Sequence, residues 1–207
     1  MEILDVVDEN GIPTGKTVDR ITAHKKGIRH RTSHVWIARQ RAGRTELLLQ
    51  KRSENKDSHP GCLDISSAGH IPAGCTYLES AVRELSEELG INVSINDLHF
   101  CGKKRKAYKK NFHEEEFFDN QVSNVYVMFS NLDETRIRYQ ESEISGVLWM
   151  PLDDIIEMVA ADEAMLGTDK AVIDDNRKVN KSCIAMEEIL MVKSFIIDHP
   201  EYFRESY

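Results

Sequence analysis

Three glutamates lie close together before a glycine, within Arg83-Glu84-Leu85-Ser86-Glu87-Glu88-Leu89-Gly90-Ile91. At about 100° per residue, Glu84, Glu87 and Glu88 fall within a narrow sector of a helix. A separate apolar stripe follows at spacings of four, three and four residues, formed by Leu78, Val82, Leu85 and Leu89. The segment therefore predicts an amphipathic helix with one face in the core and a dense row of carboxylates on the other.

Such a row of carboxylates is unfavourable without a cation. Like charges three or four residues apart destabilise an isolated helix by roughly 0.2–0.5 kcal/mol per pair. Oxygen ligands suit hard divalent ions, so the cluster predicts a site for Mg²⁺, with Mn²⁺ as the alternative. The competing interpretation is an ordinary solvated helix face, which glutamates often form.

A glycine-bearing loop leads into this helix, Ser66-Ser67-Ala68-Gly69-His70-Ile71-Pro72-Ala73-Gly74. The whole stretch resembles the Nudix box, Gly-x5-Glu-x7-Arg-Glu-U-x-Glu-Glu-x-Gly-U, where U is aliphatic. The fixed positions that match are Gly69, Arg83, Glu84, Leu85, Glu87, Glu88, Gly90 and Ile91. Cys75 occupies the position of the first glutamate of the pattern, which is mainly structural in the family.

Within that superfamily, the chain resembles the branch related to type I isopentenyl-diphosphate isomerase over roughly residues 1–160. In that isomerase a catalytic cysteine precedes the Gly-His pair, and a Glu-x-Glu motif lies on a later strand. Here these positions hold Ala68 and Asp119-Asn120-Gln121. Neither alanine nor glutamine can exchange a proton with a carbon centre, so isomerisation is not expected. The segments that carry the resemblance are 30–37, 48–52 and 64–70.

The complete Arg-Glu-U-x-Glu-Glu run favours a hydrolase. The resemblance implies metal-assisted attack of water on the diphosphate bond of a nucleoside diphosphate derivative or another organic diphosphate. Glu84, Glu87 and Glu88 are the expected metal ligands, with the backbone carbonyl of Gly69. Glu87 and Glu88 are the expected catalytic pair, and Arg83 is expected to orient a carboxylate.

Substrate contacts are also implied by the resemblance. Arg52 and Lys56 match positions that contact diphosphate in the isomerase branch, the alternative being ordinary surface charge. His70 matches a metal-ligand histidine of the isomerase and is assigned to the site as a ligand or a substrate contact. His30 matches another such histidine, but its usual partner is replaced and His24 is one position out of register. A structural role, or one that orients a ligand, therefore stays open for His30. His34 alternates with an apolar strand face and is interpreted as structural.

The strand and helix patterns predict an α/β (α+β) fold, a mixed β-sheet sandwiched between α-helices, with an N-terminal hairpin and a C-terminal helical extension. The expected strands are 3–7, 16–18, 34–38, 46–50, 64–67, 98–102, 122–129 and 147–149. The expected helices are 77–89, one that Pro151 opens, and 182–197. All residues in 103–106 and 109–110 are basic, and they come before the acidic residues 114–116. This pattern of opposite charges predicts a solvated hairpin loop.

Residues 1–160 are predicted to form a Nudix domain and residues 161–207 a helical extension on the same domain. The last helix is expected to pack on the core or on a second subunit, which leaves a homodimer open. A net charge of −8 argues against a nucleic-acid or anionic-membrane partner, so a small-molecule diphosphate is the expected one.

No C-x-x-C spacing, signal-peptide pattern or run near ~18 apolar residues is present, and these absences predict a cytoplasmic chain with free thiols. Two other functions stay open. One is a non-catalytic Nudix sensor that binds a metabolite, and the other is an isomerase that uses different residues.

Overall fold

The structure, a computed structural model, describes residues 1–56, 59–112, 115–166 and 182–203. Side chains are not described for residues 110–112, 115–116 and 165–166. The strands are β1 (Ile3–Val7), β2 (Pro13–Asp19), β3 (His30–Arg41), β4 (Arg44–Arg52), β5 (Leu63–Asp64), β6 (Ser67–His70), β7 (His99–Phe112), β8 (Glu115–Phe129) and β9 (Ile144–Pro151). The helices are α1 (Arg20–Lys26), α2 (Tyr77–Leu89), α3 (Leu152–Leu166) and α4 (Met186–Asp198).

The first compact unit comprises Met1–Val35 and Ser67–Met128. It begins with the predicted hairpin, in which β1 and β2 are antiparallel. The first part of β3 pairs with β6, β8 lies between β3 and β7, and α2 packs on β6. Side chains from β1, β3, β8 and α2 form its core, among them Leu4, Val35, Leu85, Leu89 and Val125.

The second compact unit comprises Trp36–Ser66 and Phe129–Tyr207. In it β4 pairs with the last part of β3, with β5 and with β9, while α3 packs on β4, β9 and α4. The buried Trp36 indole donates a hydrogen bond of 2.9 Å to Glu188 in α4. The C-terminal helix is therefore attached to the sheet of its own unit. The predicted fold class, a mixed sheet flanked by helices, is confirmed.

The predicted hairpin loop in the basic region is wrong. Residues 103–110 lie within β7, which pairs with β8 from His99 to Phe112 with one bulge between Phe100 and Gly102. The ladder with β8 supplies partners for the backbone groups of β7 that face it, which outweighs the preference of lysines for open solvent. Lys104 is even buried. Residues 113–114, at the predicted acidic end, lie outside the described residues.

Two helix starts also differ from prediction. Pro151 is the last residue of β9, where it pairs opposite Glu46, and α3 begins one residue later. The final helix begins at Met186, not at Ser182, because Ser182 forms a β-bridge with Leu63 and donates a hydrogen bond to Asp162.

The predicted boundary at residue 160 lies inside α3, and the two-part domain division stays a prediction. None of the helices in the described ranges is long and apolar enough to span a membrane.

Candidate active site

Local sequence fixes both ends of α2, the helix that carries the glutamates. Thr76 accepts a hydrogen bond from the backbone N–H of Glu79, and the Glu79 carboxylate accepts one from the N–H of Thr76. This reciprocal capping box defines the first turn. Gly90 ends the helix at φ 66°, a left-handed conformation that glycine adopts readily. The positions of the three glutamates follow from these two ends.

Glu84 lies directly against the backbone of β6. Gly69 of β6 pairs with Ser33 of β3. A Cβ added at Gly69 would overlap the carboxyl group of Glu84. The Glu84 side chain is 15% exposed. A glycine at this position therefore makes room for a half-buried carboxylate beside the strand.

Glu88 lies one turn further along α2 and is buried. The hydroxyl of Ser67, also buried, donates a hydrogen bond of 2.9 Å to its Oε2. An ionised carboxylate can only accept, so the serine must be the donor. Sequence reasoning named Ser67 as part of the loop but gave it no role.

Arg83 contacts the carboxylates as expected. Its guanidinium donates to Glu84 at 2.6 Å and to Glu87 at 3.1 Å, and it reaches the carbonyl oxygen of His70 at 3.4 Å. Glu87 is the most open of the three glutamates, with a side chain 54% exposed. Glu84 and Glu87 therefore share the guanidinium of Arg83 as a hydrogen-bond donor. The role of Arg83 in orienting these carboxylates for function stays a prediction.

Histidines form a compact group in the same unit. His24 in α1, His30 at the start of β3 and His70 at the end of β6 bring their ligand nitrogens within 4.8 Å of one another. Among the described residues, this is the group of histidine, cysteine and acidic side chains that is compact enough for one ion, and the three glutamates do not form another. Sequence reasoning missed His24, because a one-position offset on a short helix cannot be resolved from spacing.

Burial favours the neutral form of two rings of the cluster by lowering the pKa of His24 and of His30. The Nδ1 of His30 lies 2.9 Å from the carbonyl oxygen of Ile28, so that nitrogen carries the proton and donates it. Its Nε2 is buried and has no hydrogen-bond partner. Burial lowers the pKa of His24 to about 3, with repulsion from His30 and Arg20 adding to the effect. Burial also lowers the pKa of His30.

A buried carboxyl group accompanies the cluster. Asp119 in β8 is buried, and its Oδ1 has no hydrogen-bond partner. Burial raises the pKa of Asp119, although Lys106 at 4.0 Å and His30 act in the opposite direction. Neutral imidazoles and an oxygen donor are groups that bind borderline divalent metals.

The loop before α2 is held by the N-terminal hairpin. Arg31 donates to Asp5 at 2.7 Å and to the carbonyl oxygen of Cys75 at 3.0 Å. The N–H of Gly74 donates to the same Asp5 oxygen at 3.0 Å. The loop is therefore held at its backbone, at Gly74 and at Cys75, the position of the usual glutamate. No motif in the sequence pointed to this pair.

The two predicted phosphate-binding cations lie in the second unit. Arg52 donates to Asp64 at 3.0 Å, and Lys56 forms an ion pair with Glu143. Each cation therefore faces a carboxylate of its own unit. Their proposed role in binding substrate stays a prediction.

Residues 29–170 match the family model of the NUDIX domain. The chain belongs to the Nudix family. It is 34% identical over 154 residues to an uncharacterized Nudix hydrolase of Clostridium acetobutylicum, covering 74% of this chain and 72% of that relative. It is 36% identical over 163 residues to Nudix hydrolase 3 of Arabidopsis thaliana, covering 74% of this chain but 20% of the plant protein.

The fold of this Nudix chain is also found in a solved structure. The crystal structure of DR0079 from Deinococcus radiodurans superposes with a TM-score of 0.60, covering 93% of this chain and 98% of that one. At 18% identity, this likeness shows the shared fold alone. The family model and the relatives make the chain a Nudix hydrolase, while the isomerase-related branch stays a prediction.

Proposed function

We propose that this Nudix protein hydrolyses the diphosphate bond of a small organic diphosphate, such as a nucleoside diphosphate derivative, with Mg²⁺ or Mn²⁺. The observation that carries the proposal is the packing of Glu84 and Glu88 on β6. One carboxylate occupies the space that a side chain at Gly69 would fill, and the other is held by Ser67. A half-buried and a buried carboxylate on one helix face are costly without positive charge, and Arg83 supplies one such charge at Glu84.

The chemistry of the donor set suits a hard divalent ion, and the three carboxylates would have to move closer together to hold one. Glu84, Glu87 and Glu88 offer carboxylate oxygens, and the backbone of Gly69 adds a carbonyl oxygen. When bound, such an ion would neutralise phosphate oxygens and lower the pKa of water. Arg83 would orient Glu84 and Glu87 through its two hydrogen bonds. The exposed Glu87 is the carboxylate best placed to take a proton from solvent water.

Substrate contacts complete the proposal. Arg52 and Lys56 are proposed to bind phosphate oxygens, which would replace their present carboxylate partners. His70 and His30 are proposed to contact the substrate or to hold a second ion. A small-molecule diphosphate is the proposed partner, and the identity of its organic group depends on loops that carry no recognisable motif.

The test is a phosphate-release panel of nucleoside diphosphates and triphosphates, dinucleotides, nucleotide sugars and prenyl diphosphates. Glu88→Gln should lower turnover at least ~10²-fold because it removes a ligand charge. Glu79→Gln is the matched control, since Glu79 lies on the same helix and glutamine also fits a capping box. Full turnover by Glu88→Gln, or wild-type turnover in excess chelator, would contradict the proposal.

An isopentenyl-diphosphate isomerase-like activity is the second candidate, and the cluster of His24, His30 and His70 favours it. The resemblance implies metal-ligand histidines at two of these positions. Ala68 and Gln121 argue against it, because proton addition and removal at carbon need two positioned groups. Incubation with isopentenyl diphosphate, followed by proton and phosphorus NMR, should give no allylic isomer. Isomer formed in proportion to enzyme would replace the hydrolase proposal.

A further inference from the structure

We propose that Ser67 is a positioning residue that holds Glu88 in its metal-binding orientation, an inference that rests on the proposed function. The Ser67 hydroxyl donates to Glu88 Oε2 at 2.9 Å, and both side chains are buried. Ser67 itself does not need to touch the metal or the substrate. Its effect would act through the carboxylate that it holds.

The geometry of β6 and α2 places this contact. Ser67 and Gly69 are two residues apart, so their side-chain positions lie on the same face of the strand. Glu84 and Glu88 are four residues apart, so they lie on the same face of the helix. Two strand residues span about 6.6 Å and four helix residues span about 6 Å, so the two spacings match. Consequently β6 contacts both carboxylates: Gly69 lies against Glu84, and Ser67 donates a hydrogen bond to Glu88.

The strand itself is fixed by its neighbour. Ser67 pairs with Val35 and Gly69 pairs with Ser33 in an antiparallel ladder with β3. The hydroxyl is therefore presented from a backbone that cannot easily move. A long, flexible glutamate side chain loses rotamer freedom when it binds a metal, and a hydrogen bond that restricts it beforehand reduces that cost.

The direct measurement is binding of Mn²⁺ alone, by electron paramagnetic resonance and calorimetry, to the full chain without substrate. Ser67→Ala should weaken Mn²⁺ binding 10–100-fold, as expected for loss of a group that orients a ligand. Ser67→Thr keeps the hydroxyl and should bind Mn²⁺ within about threefold of wild type. Activity assays on any hydrolysed substrate should show the Mg²⁺ concentration for half-maximal rate rising in Ser67→Ala, with turnover recovering at high Mg²⁺.

The neighbouring Ser66 provides a matched control. It is equally buried, but its hydroxyl donates to the carbonyl oxygen of Leu48 at 2.6 Å and accepts from the N–H of Ile37 at 2.9 Å. Both partners are backbone groups. Ser66→Ala should therefore lower stability while leaving Mn²⁺ binding by the folded protein within about twofold of wild type.

The outcomes separate this inference from the proposed function. Absence of Mn²⁺ binding by wild type would overturn the proposed metal site itself. Binding by wild type and equal binding by Ser67→Ala would overturn the role of Ser67 alone. If Ser67→Ala does not fold, Ser67→Cys replaces the hydroxyl with a weak donor of similar size, and wild-type Mn²⁺ affinity in that variant would also overturn it.

Discussion

At the scale of single residues, Gly69 is the position where one added methyl group should separate function from stability. The Cβ of Gly69→Ala would meet the end of the Glu84 side chain, which is flexible and can turn away. We expect at least about tenfold lower metal-dependent turnover, with a loss of unfolding free energy below about 1 kcal/mol. Gly146→Ala is the control because that glycine has open space around its Cβ position. Equal turnover in both variants would show that Glu84 is not held against β6 for function.

At the scale of elements, the ion pair between Asp5 of β1 and Arg31 of β3 should support the loop that precedes α2. Asp5→Asn would leave Arg31, whose side chain is 8% exposed, without its counter-charge. Removing one partner of a buried ion pair costs about 3–5 kcal/mol of unfolding free energy. The pair of Glu2 and Arg20 is more open to solvent and lies in the same part of the chain, so Glu2→Gln should cost less than about 1 kcal/mol. Urea unfolding compares the two, and equal losses would contradict a supporting role for Asp5.

The helices and strands differ in how far the sequence could predict them. Helix α2 was predictable to its ends, because periodicity, a capping box and a terminal glycine all agree there. The length of β7 was not, since lysines suit both a solvated loop and a strand whose partner lies far along the chain. Contacts such as Ser67 with Glu88 depend on which strand faces which helix, and spacing within either element cannot reveal that. The carboxylate row and its pairing with Arg83 were predictable, and the contact of Ser67 with Glu88 was not.

At the scale of the whole molecule, the buried histidines should make the metal-free protein less stable in acid. The pKa of His24 is about 3 in the folded chain and near 6.5 in the unfolded chain. Between these pH values the unfolded chain binds a proton at His24 and the folded chain does not. Its contribution to stability is complete above pH 6.5 and is lost as the pH falls below it. Between pH 7.5 and 5 this amounts to about 2 kcal/mol for His24.

The measurement is urea unfolding in chelator at both pH values. Burial lowers the pKa of His30 as well, which adds to the acid loss, while the raised pKa of Asp119 opposes it because the folded chain takes up that proton first. His24→Gln removes one titrating group and keeps a polar side chain of similar size. The fall in unfolding free energy from pH 7.5 to 5 should therefore be smaller in this variant than in wild type. Parallel pH profiles for the two proteins would show that His24 is protonated as easily in the folded chain as in the unfolded one.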